Sequence, residues 1–413
     1  MNNIKSCAAV LAITLFLVSP ALNASDFGLM LDQYANAGGI SDETDFEYTA
    51  TLVPRFAVAL TNSLDFFISA GATFKYTTAY ADDKVSLLPE LYRTEISGSF
   101  NNLSFKAGRI QYADPVSFIT DGLFDGAQIF FDTAAGTFSA GAWYTGFQYK
   151  QKNSVTMTAE DQAAYASLLD YDNFVDTYFA SRRLLAALGW EHPAVAELVR
   201  LKLAVTGQFD FNDYNDNYIP FHSQYISVKA DIPVSRFVFD LGGSMQLAQA
   251  DDEFGVAFAG EIGFSWAPPA AFRSQLSFIG RFANGRSDNN DTFIAFVPIT
   301  TQDQGNILKT KLSGISLLSL DYTARIHQTL ASSLTASCFI RSDLGTYAGY
   351  PAYISNGSGY VLGCELYGNI VWSPLSDLYM NLGGGVFLPS MGNAAPDGDP
   401  LWRVQLSMVI ALY

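Results

Sequence analysis

The chain is poor in charge. Asp, Glu, Lys and Arg make up 15% of its 413 residues, and acids outnumber bases to give a net charge of −17. That balance argues against nucleic acid as a partner, since phosphate binding needs a basic face. Beyond residue 25 there is no apolar run long enough for a spanning helix. No repeat of a few tens of residues recurs, and no linker rich in Pro, Ser or charge divides the chain. Histidine is almost absent: only His192, His222 and His327 occur. Two of these fall at expected turns, and Ser223 beside His222 points to the opposite face of its strand. A nucleophile and base in contact is therefore not expected, nor is an enzyme. The acidic stretch "DFNDYNDN" (210–217) lacks the Gly and the terminal Glu of a calcium-binding loop. No metal or cofactor is expected.

What is present points one way. Aromatic residues reach 14%, and there are 33 Gly, 22 Tyr and 32 Phe, a composition that favours strands over helices. Residues 1–24 carry one charge, Lys5, then an apolar run from Cys7 to Val18 and small residues before Ser25. This is the pattern of a secretory signal peptide, leaving 25–413 as a single domain. That domain alternates with period two. In "EYTATLVPRFAVAL", Tyr48, Ala50, Leu52, Phe56, Val58 and Leu60 share one face while Glu47, Thr49, Thr51 and Arg55 share the other. "FFISAGATFKY", "LVRLKLAVTGQFDF" and "FRSQLSFIGRF" repeat the arrangement. A strand with one apolar and one polar face, in a chain with no helices to cover the apolar side, fits a barrel in a bilayer better than a soluble sandwich.

The connections alternate in length. Short ones are expected at Thr61–Ser63, Asn101 and Asn102, Thr133–Ala135, Ile232 and Pro233, Ala267–Ala271, His327–Thr329 and Ser373–Leu375. Longer polar ones lie at 38–44, 79–86, 114–123, 150–179, 212–221, 285–313, 343–357 and 389–400, with a brief one at 250–253. Short periplasmic turns and long extracellular loops are the signature of an outer-membrane barrel. The expected fold is all-β: a transmembrane, antiparallel, up-and-down β-barrel of about eighteen strands, with sixteen as the alternative count. The closing strand "LWRVQLSMVIALY" would pair with the strand starting near Phe27, with Tyr413 out of phase with its apolar face. Trp190, Trp266 and Trp372 would sit at the interface beside short turns.

The polar face then lines the interior. The pore-lining candidates are Arg55, Lys75, Arg93, Arg200, Lys202, Glu261, Arg273, Arg281, Arg325, Arg341, Glu365 and Arg403. Facing acids and bases would pair and stiffen the wall, or a basic surplus would favour anions. The 150–179 stretch begins with Thr158, Glu160 and Asp161, a helix start. It is the best candidate for the constriction, as a short helix folded into the pore, with a helix capping the outside or a mobile loop as the alternatives. Cys338 and Cys364 fall at matching heights on consecutive strands with the same parity, either as two small apolar residues or as a cross-strand disulfide.

One local pattern carries a resemblance. "AGRIQYADPVSFITDGLFDGAQIFF" (107–131) places Gly108-Arg109 at a strand end and Phe124-Asp125-Gly126 at the start of the next. It resembles outer-membrane alginate-export proteins and related carbohydrate porins, although Leu123 stands where that family often has a basic residue. The resemblance implies a barrel passing an anionic saccharide, with Arg109 and Asp125 as an inward-facing pair. Alternation from Leu103, Phe105 and Ala107 would instead carry Arg109 outward unless a bulge re-aims it.

The expected function is passive diffusion of small hydrophilic solutes, anionic or carbohydrate-like ones included, across the bacterial outer membrane. The partners are the lipid bilayer, the barrel-assembly machinery and the solute, with the oligomeric state left open. The alternatives are a surface adhesin or structural barrel without an open pore, and a long-chain fatty-acid transporter. The latter usually starts with a plug, whereas strand signal here begins at Phe27.

Overall fold

The computed structural model describes residues 25–40, 43–78, 84–214, 218–251, 253–269, 273–286, 292, 294–342 and 359–412. Eighteen antiparallel strands form one sheet that closes on itself. They are β1 (Ser25–Ile40), β2 (Glu43–Thr61), β3 (Leu64–Thr77), β4 (Lys84–Phe100), β5 (Leu103–Ala113) and β6 (Asp121–Thr133). Next come β7 (Gly136–Tyr144), β8 (Arg183–Val195), β9 (Val199–Asp210), β10 (Phe221–Val234), β11 (Phe237–Ala250) and β12 (Glu253–Trp266). The ring is completed by β13 (Arg273–Ala283), β14 (Ile315–His327), β15 (Leu330–Arg341), β16 (Val361–Leu375), β17 (Leu378–Leu388) and β18 (Leu401–Leu412). Each strand pairs with its sequence neighbours, and β18 pairs with β1 from Leu29↔Leu412 to Ile40↔Leu401. Closure leaves no free sheet edge at the chain ends. Tyr413, whose phase was in question, lies outside the described residues.

Alternation sorts the side chains as a membrane barrel requires. Val205, Ile226, Leu241 and Ile262 of β9–β12 are exposed on the outer face. Their neighbours Thr206, Tyr225 and Gln246 are buried on the inner one. An outward apolar band over a polar interior suits hydrocarbon outside and water inside. Trp266 stacks on Phe237 at the short-turn end. Trp190 there donates its indole N–H to the Ala135 carbonyl at 2.8 Å. Both fit an interfacial ring that is apolar on one side and wet on the other.

Four boundaries differ from the sequence expectation. The turn placed at Ile232 and Pro233 falls at Ser235 and Arg236, because β10 runs on to Val234 and Pro233 still pairs with Val238. Ser235 takes the positive φ of 58°. The turn placed at Ser373–Leu375 falls two residues later, as an irregular register carries β16 to Leu375. The loop expected at 38–44 is largely strand. β1 reaches Ile40, and a Cβ on Gly39 would lie 1.9 Å from the Glu43 carbonyl, so glycine is needed for this approach. The turn expected beside Trp190 and His192 falls later: β8 runs on to Val195 and joins β9 through Ala196 and Glu197, both left-handed at φ 51° and 61° with no Gly, Asn or Pro between the strands.

Candidate functional site: an obstructed lumen

Three loops from the long-loop end turn inward and pack on the inner wall. Residues 114–120, between β5 and β6, wrap around the Asp114 carboxylate. It accepts the backbone N–H groups of Val116, Ile119 and Thr120 at 2.9, 3.0 and 2.8 Å. Val116 thereby reaches β11, where a Cβ on Gly242 would lie 3.0 Å from its side chain.

Residues 145–182, between β7 and β8, contain three short helices: α1 (Lys150–Asn153), α2 (Ala159–Ala166) and α3 (Phe174–Tyr178). Thr158 and Asp161 form the reciprocal cap that starts α2, the arrangement the sequence signalled. Asp161 is also fully buried against Arg183 of β8. The Arg183 guanidinium lies 2.5 Å from Asp161 and 3.1 Å from Asp210 of β9.

The third loop joins β13 to β14. Its tip is closed by mutual backbone hydrogen bonds of Gln304 and Thr310. The tip lies over β16, where the buried Glu365 carboxylate accepts the N–H groups of Asn306, Ile307 and Leu308 at 2.8, 3.0 and 3.2 Å. The three loops are knit together. The Ile119 carbonyl accepts from Ile299 and Thr300, and the Lys311 ammonium donates to the Thr156 hydroxyl at 2.9 Å. An apolar core that includes Phe118, Met157, Phe296, Ile299 and Leu312 fills the space between them and the wall.

Open space remains on the other side. A cavity of about 340 Å³ lies between Ile307 at the loop tip and Asn36, Glu47, Thr77 and Arg403 on β18, β1, β2 and β3. Below it a polar rail runs across the wall. Tyr34 donates to Gln405 at 3.0 Å, and Gln405 donates to the Tyr367 hydroxyl. Tyr367 lies flat over Gly383, where any Cβ would collide with its hydroxyl. Burial, with Arg403 nearby, lowers the pKa of Lys309 at the tip below the ordinary lysine value.

The predicted charged residues distribute as follows. Lys75 pairs with Glu47 at 3.0 Å. Arg93 pairs with Glu95 and lies over the Phe67 ring. Arg200 pairs with Glu191 at the short-turn rim. Glu261 receives Arg281 at 2.6 Å and Lys229 at 3.6 Å, and Arg281 also donates to Gln304 of the third loop. Arg55 lies across Gly28, and Lys202 shares the inner face with Thr206 and Gln208. Arg273 and Arg325 stand opposite each other across β13 and β14 at the short-turn end. Arg341 is buried and donates to the Gly359 carbonyl at 2.8 Å. Arg403 faces the open cavity. Cys338 and Cys364 face each other across β15 and β16 and are bonded as a disulfide. Among the described residues, no group of three or more His, Cys, Asp or Glu is placed to hold a metal ion.

Arg109 and Asp125 form a two-pronged pair at 3.0 and 2.8 Å, but they do not line the lumen. Gly108, Gly126 and Gln128 carry the inward parity, and the unbroken register Thr94↔Arg109 keeps the pair on the outer one. No bulge re-aims it. The constriction was also placed too narrowly, since 150–179 is one of three contributors. The third loop was readable as buried from its apolar content: Ile294, Phe296, Val297, Ile299, Ile307, Leu308 and Leu312 are unusual in a solvated loop. The Tyr34–Gln405–Tyr367 rail left no such trace, because its partners are 371 and 38 residues apart.

Asp114 provides a pH test. Burial raises its carboxyl to about 6 from 3.8, against four backbone hydrogen bonds that lower it. The folded state therefore holds a proton that the unfolded state has lost between about pH 4 and 6. The contribution of Asp114 to stability is full below about pH 4 and is lost, by about 3 kcal/mol at most, as pH rises through 6. Asp114→Asn should flatten this slope in urea titrations of the folded protein between pH 4 and 7.

No family model matches the chain, and no curated protein does. Solved structures do. OccK2 (OpdF) of Pseudomonas aeruginosa in complex with glucuronate matches with TM-score 0.60 and 12% identity, over 95% of this chain and 98% of that one. OccK3 (OpdO) of the same organism matches with TM-score 0.58 and 11% identity, over 95% and 96%. Its outer membrane protein OprD matches with TM-score 0.57 and 12% identity, over 95% and 96%. The chain thus has the fold of these eighteen-stranded outer-membrane barrels along almost its whole length.

Proposed function

We propose that this protein is an outer-membrane channel for the passive diffusion of small hydrophilic solutes, with an anionic sugar as the best-fitting class. The observation that carries this reading is the polar-walled cavity left between the Ile307 tip and the β18–β1–β2 wall. A structural barrel or adhesin has no need to pack three loops on its inner wall and leave a polar cavity beside them. A fatty-acid carrier would need an apolar route, whereas this wall offers Asn36, Glu47, Arg403 and the Tyr34–Gln405–Tyr367 rail. The glucuronate bound to OccK2 favours an acidic saccharide. Arg403 is the cation on the cavity lining placed to meet its carboxylate. Residues 1–24 would act as the export signal, and the assembly machinery would insert the mature chain.

Proteoliposomes decide the matter. They should swell in isosmotic glucuronate and glucose at rates well above empty vesicles, and single channels should conduct. A silent barrel in both assays would remove the channel reading in favour of the adhesin. Arg403→Gln should slow glucuronate entry several-fold relative to glucose.

A further inference from the structure

The barrel wall is not continuous between β4 and β5. The two strands pair only from Thr94↔Arg109 to Phe100↔Leu103. Above that point Lys84–Arg93 still pairs with β3, but β5 no longer covers its other edge. The backbone groups on that edge are met by side chains instead. The Tyr171 hydroxyl accepts the Leu87 N–H at 2.8 Å and donates to the Leu87 carbonyl at 3.1 Å. The Tyr178 hydroxyl donates to the Pro89 carbonyl at 2.6 Å, and Arg109 donates to that of Leu91. Leu87, Pro89 and Leu91 alternate along the edge, so these three side chains replace a missing strand. Pro89 suits the position, having no N–H to leave unpaired. On the inner side, Tyr149 and Tyr178 pack on Leu88, with Leu169 and Phe174 behind them.

We infer that the 145–179 segment is a stave of the membrane wall, and that its outer surface meets the acyl chains of the outer leaflet. This rests on the membrane reading above. The surface is continuous with the lipid-facing band. Val85, Leu87 and Leu91 share the outward parity of Phe74 and Tyr76 and are exposed. Phe147 packs edge-on against Tyr144, which carries the outward parity of β7, and is itself 62% exposed. Tyr171, beside Leu87, is exposed as well. The arrangement also accounts for Arg109 and Asp125. An ion pair of outward parity in a membrane wall must be covered, and Arg109 is, its guanidinium reaching the Phe147 carbonyl at 3.2 Å. The same segment enters the lumen through Thr156 and Asp161, so it links the lipid to the constriction.

The test is spin-label accessibility in reconstituted bilayers. Cys338 and Cys364 are bonded to each other, so Phe147→Cys can be labelled with a nitroxide, alongside Leu241→Cys on β11 as a lipid-facing control. Correct folding of each is checked by heat-modifiable gel migration. The label at 147 should collide with oxygen in preference to a water-soluble nickel complex, as the label at 241 does. A label at 147 that prefers the nickel complex, while that at 241 prefers oxygen, overturns the stave and leaves the barrel intact. So does one shielded from both, or one whose broadening disappears on dilution with unlabelled protein, which would mark a contact between copies. If 241 also prefers the nickel complex, the membrane reading itself falls. Tyr171→Phe gives an independent reading: the Leu87 amide should exchange at least ten-fold faster, while amides in the β4–β5 ladder do not change.

Discussion

Replacing Glu365 with alanine widens the channel. Its carboxylate accepts three successive N–H groups at the tip of the β13–β14 loop, and among the described residues no other group accepts them. Those donors lie in a buried, largely apolar setting beside Phe339. Leaving them without an acceptor costs about 1–3 kcal/mol each, more than a short turn gains from its remaining contacts. The tip then leaves the wall, and Ile307 with it. Single-channel conductance rises by a factor on the order of two, and the current becomes noisier as the loop moves. Glu365→Gln keeps one acceptor oxygen and should fall between. Because both variants also remove a negative charge, Gly305→Ala is the deciding control. Gly305 has φ 87°, and its added Cβ would lie 2.5 Å from the Phe339 ring, so it breaks the same turn with the charge intact. If Gly305→Ala leaves conductance unchanged while Glu365→Ala raises it, the carboxylate acts through the field in the pore and not through the loop.

Much of this architecture was legible in the residues. Period-two alternation depends only on neighbours along the chain, and in a wall with lipid on one side and water on the other every strand must obey it. Eighteen strands and most connections followed. Where alternation continued smoothly past a proline, as at Pro233, the turn was misplaced, because an edge-facing proline need not end a strand. The site was less legible because it is built from loops. Cap chemistry at Thr158 and Asp161 announced a helix, but nothing local says that Asp161 is also the partner of Arg183. Glu365 was recognisable as inward-facing, whereas its binding of backbone N–H groups 57 to 59 residues away depends on how the loop folds. Arg109 and Asp125 show the limit of a motif. The pairing was as expected, yet the register alone decided which side of the wall it serves.

Arg183→Met should be the most damaging single change in the lumen. Arg183 is completely buried, between two carboxylates that are themselves buried. The Asp161 carboxylate also takes hydrogen bonds from Ser181 and Tyr214 at 2.7 and 2.8 Å. Asp210 is bonded to Tyr218 and the Phe221 N–H. These neutral donors orient the acids but do not balance their charge. Removing the guanidinium leaves two like charges a few ångströms apart in a low-dielectric site, which costs about 3–5 kcal/mol. Asp161 belongs to the loop and Asp210 to the wall, so the strain is relieved by expelling the loop. The expected result is rapid proteolysis within 145–182 at a protease concentration that spares the wild type, with a barrel that still shows heat-modifiable migration. Adding Asp161→Asn to Arg183→Met should restore part of the resistance, although the double variant lacks more native contacts than the single one. That reversal is the signature of an uncompensated charge. If the double variant is instead cleaved faster than Arg183→Met, the arginine holds the loop by packing and hydrogen bonding alone, and the electrostatic account of this anchor is wrong.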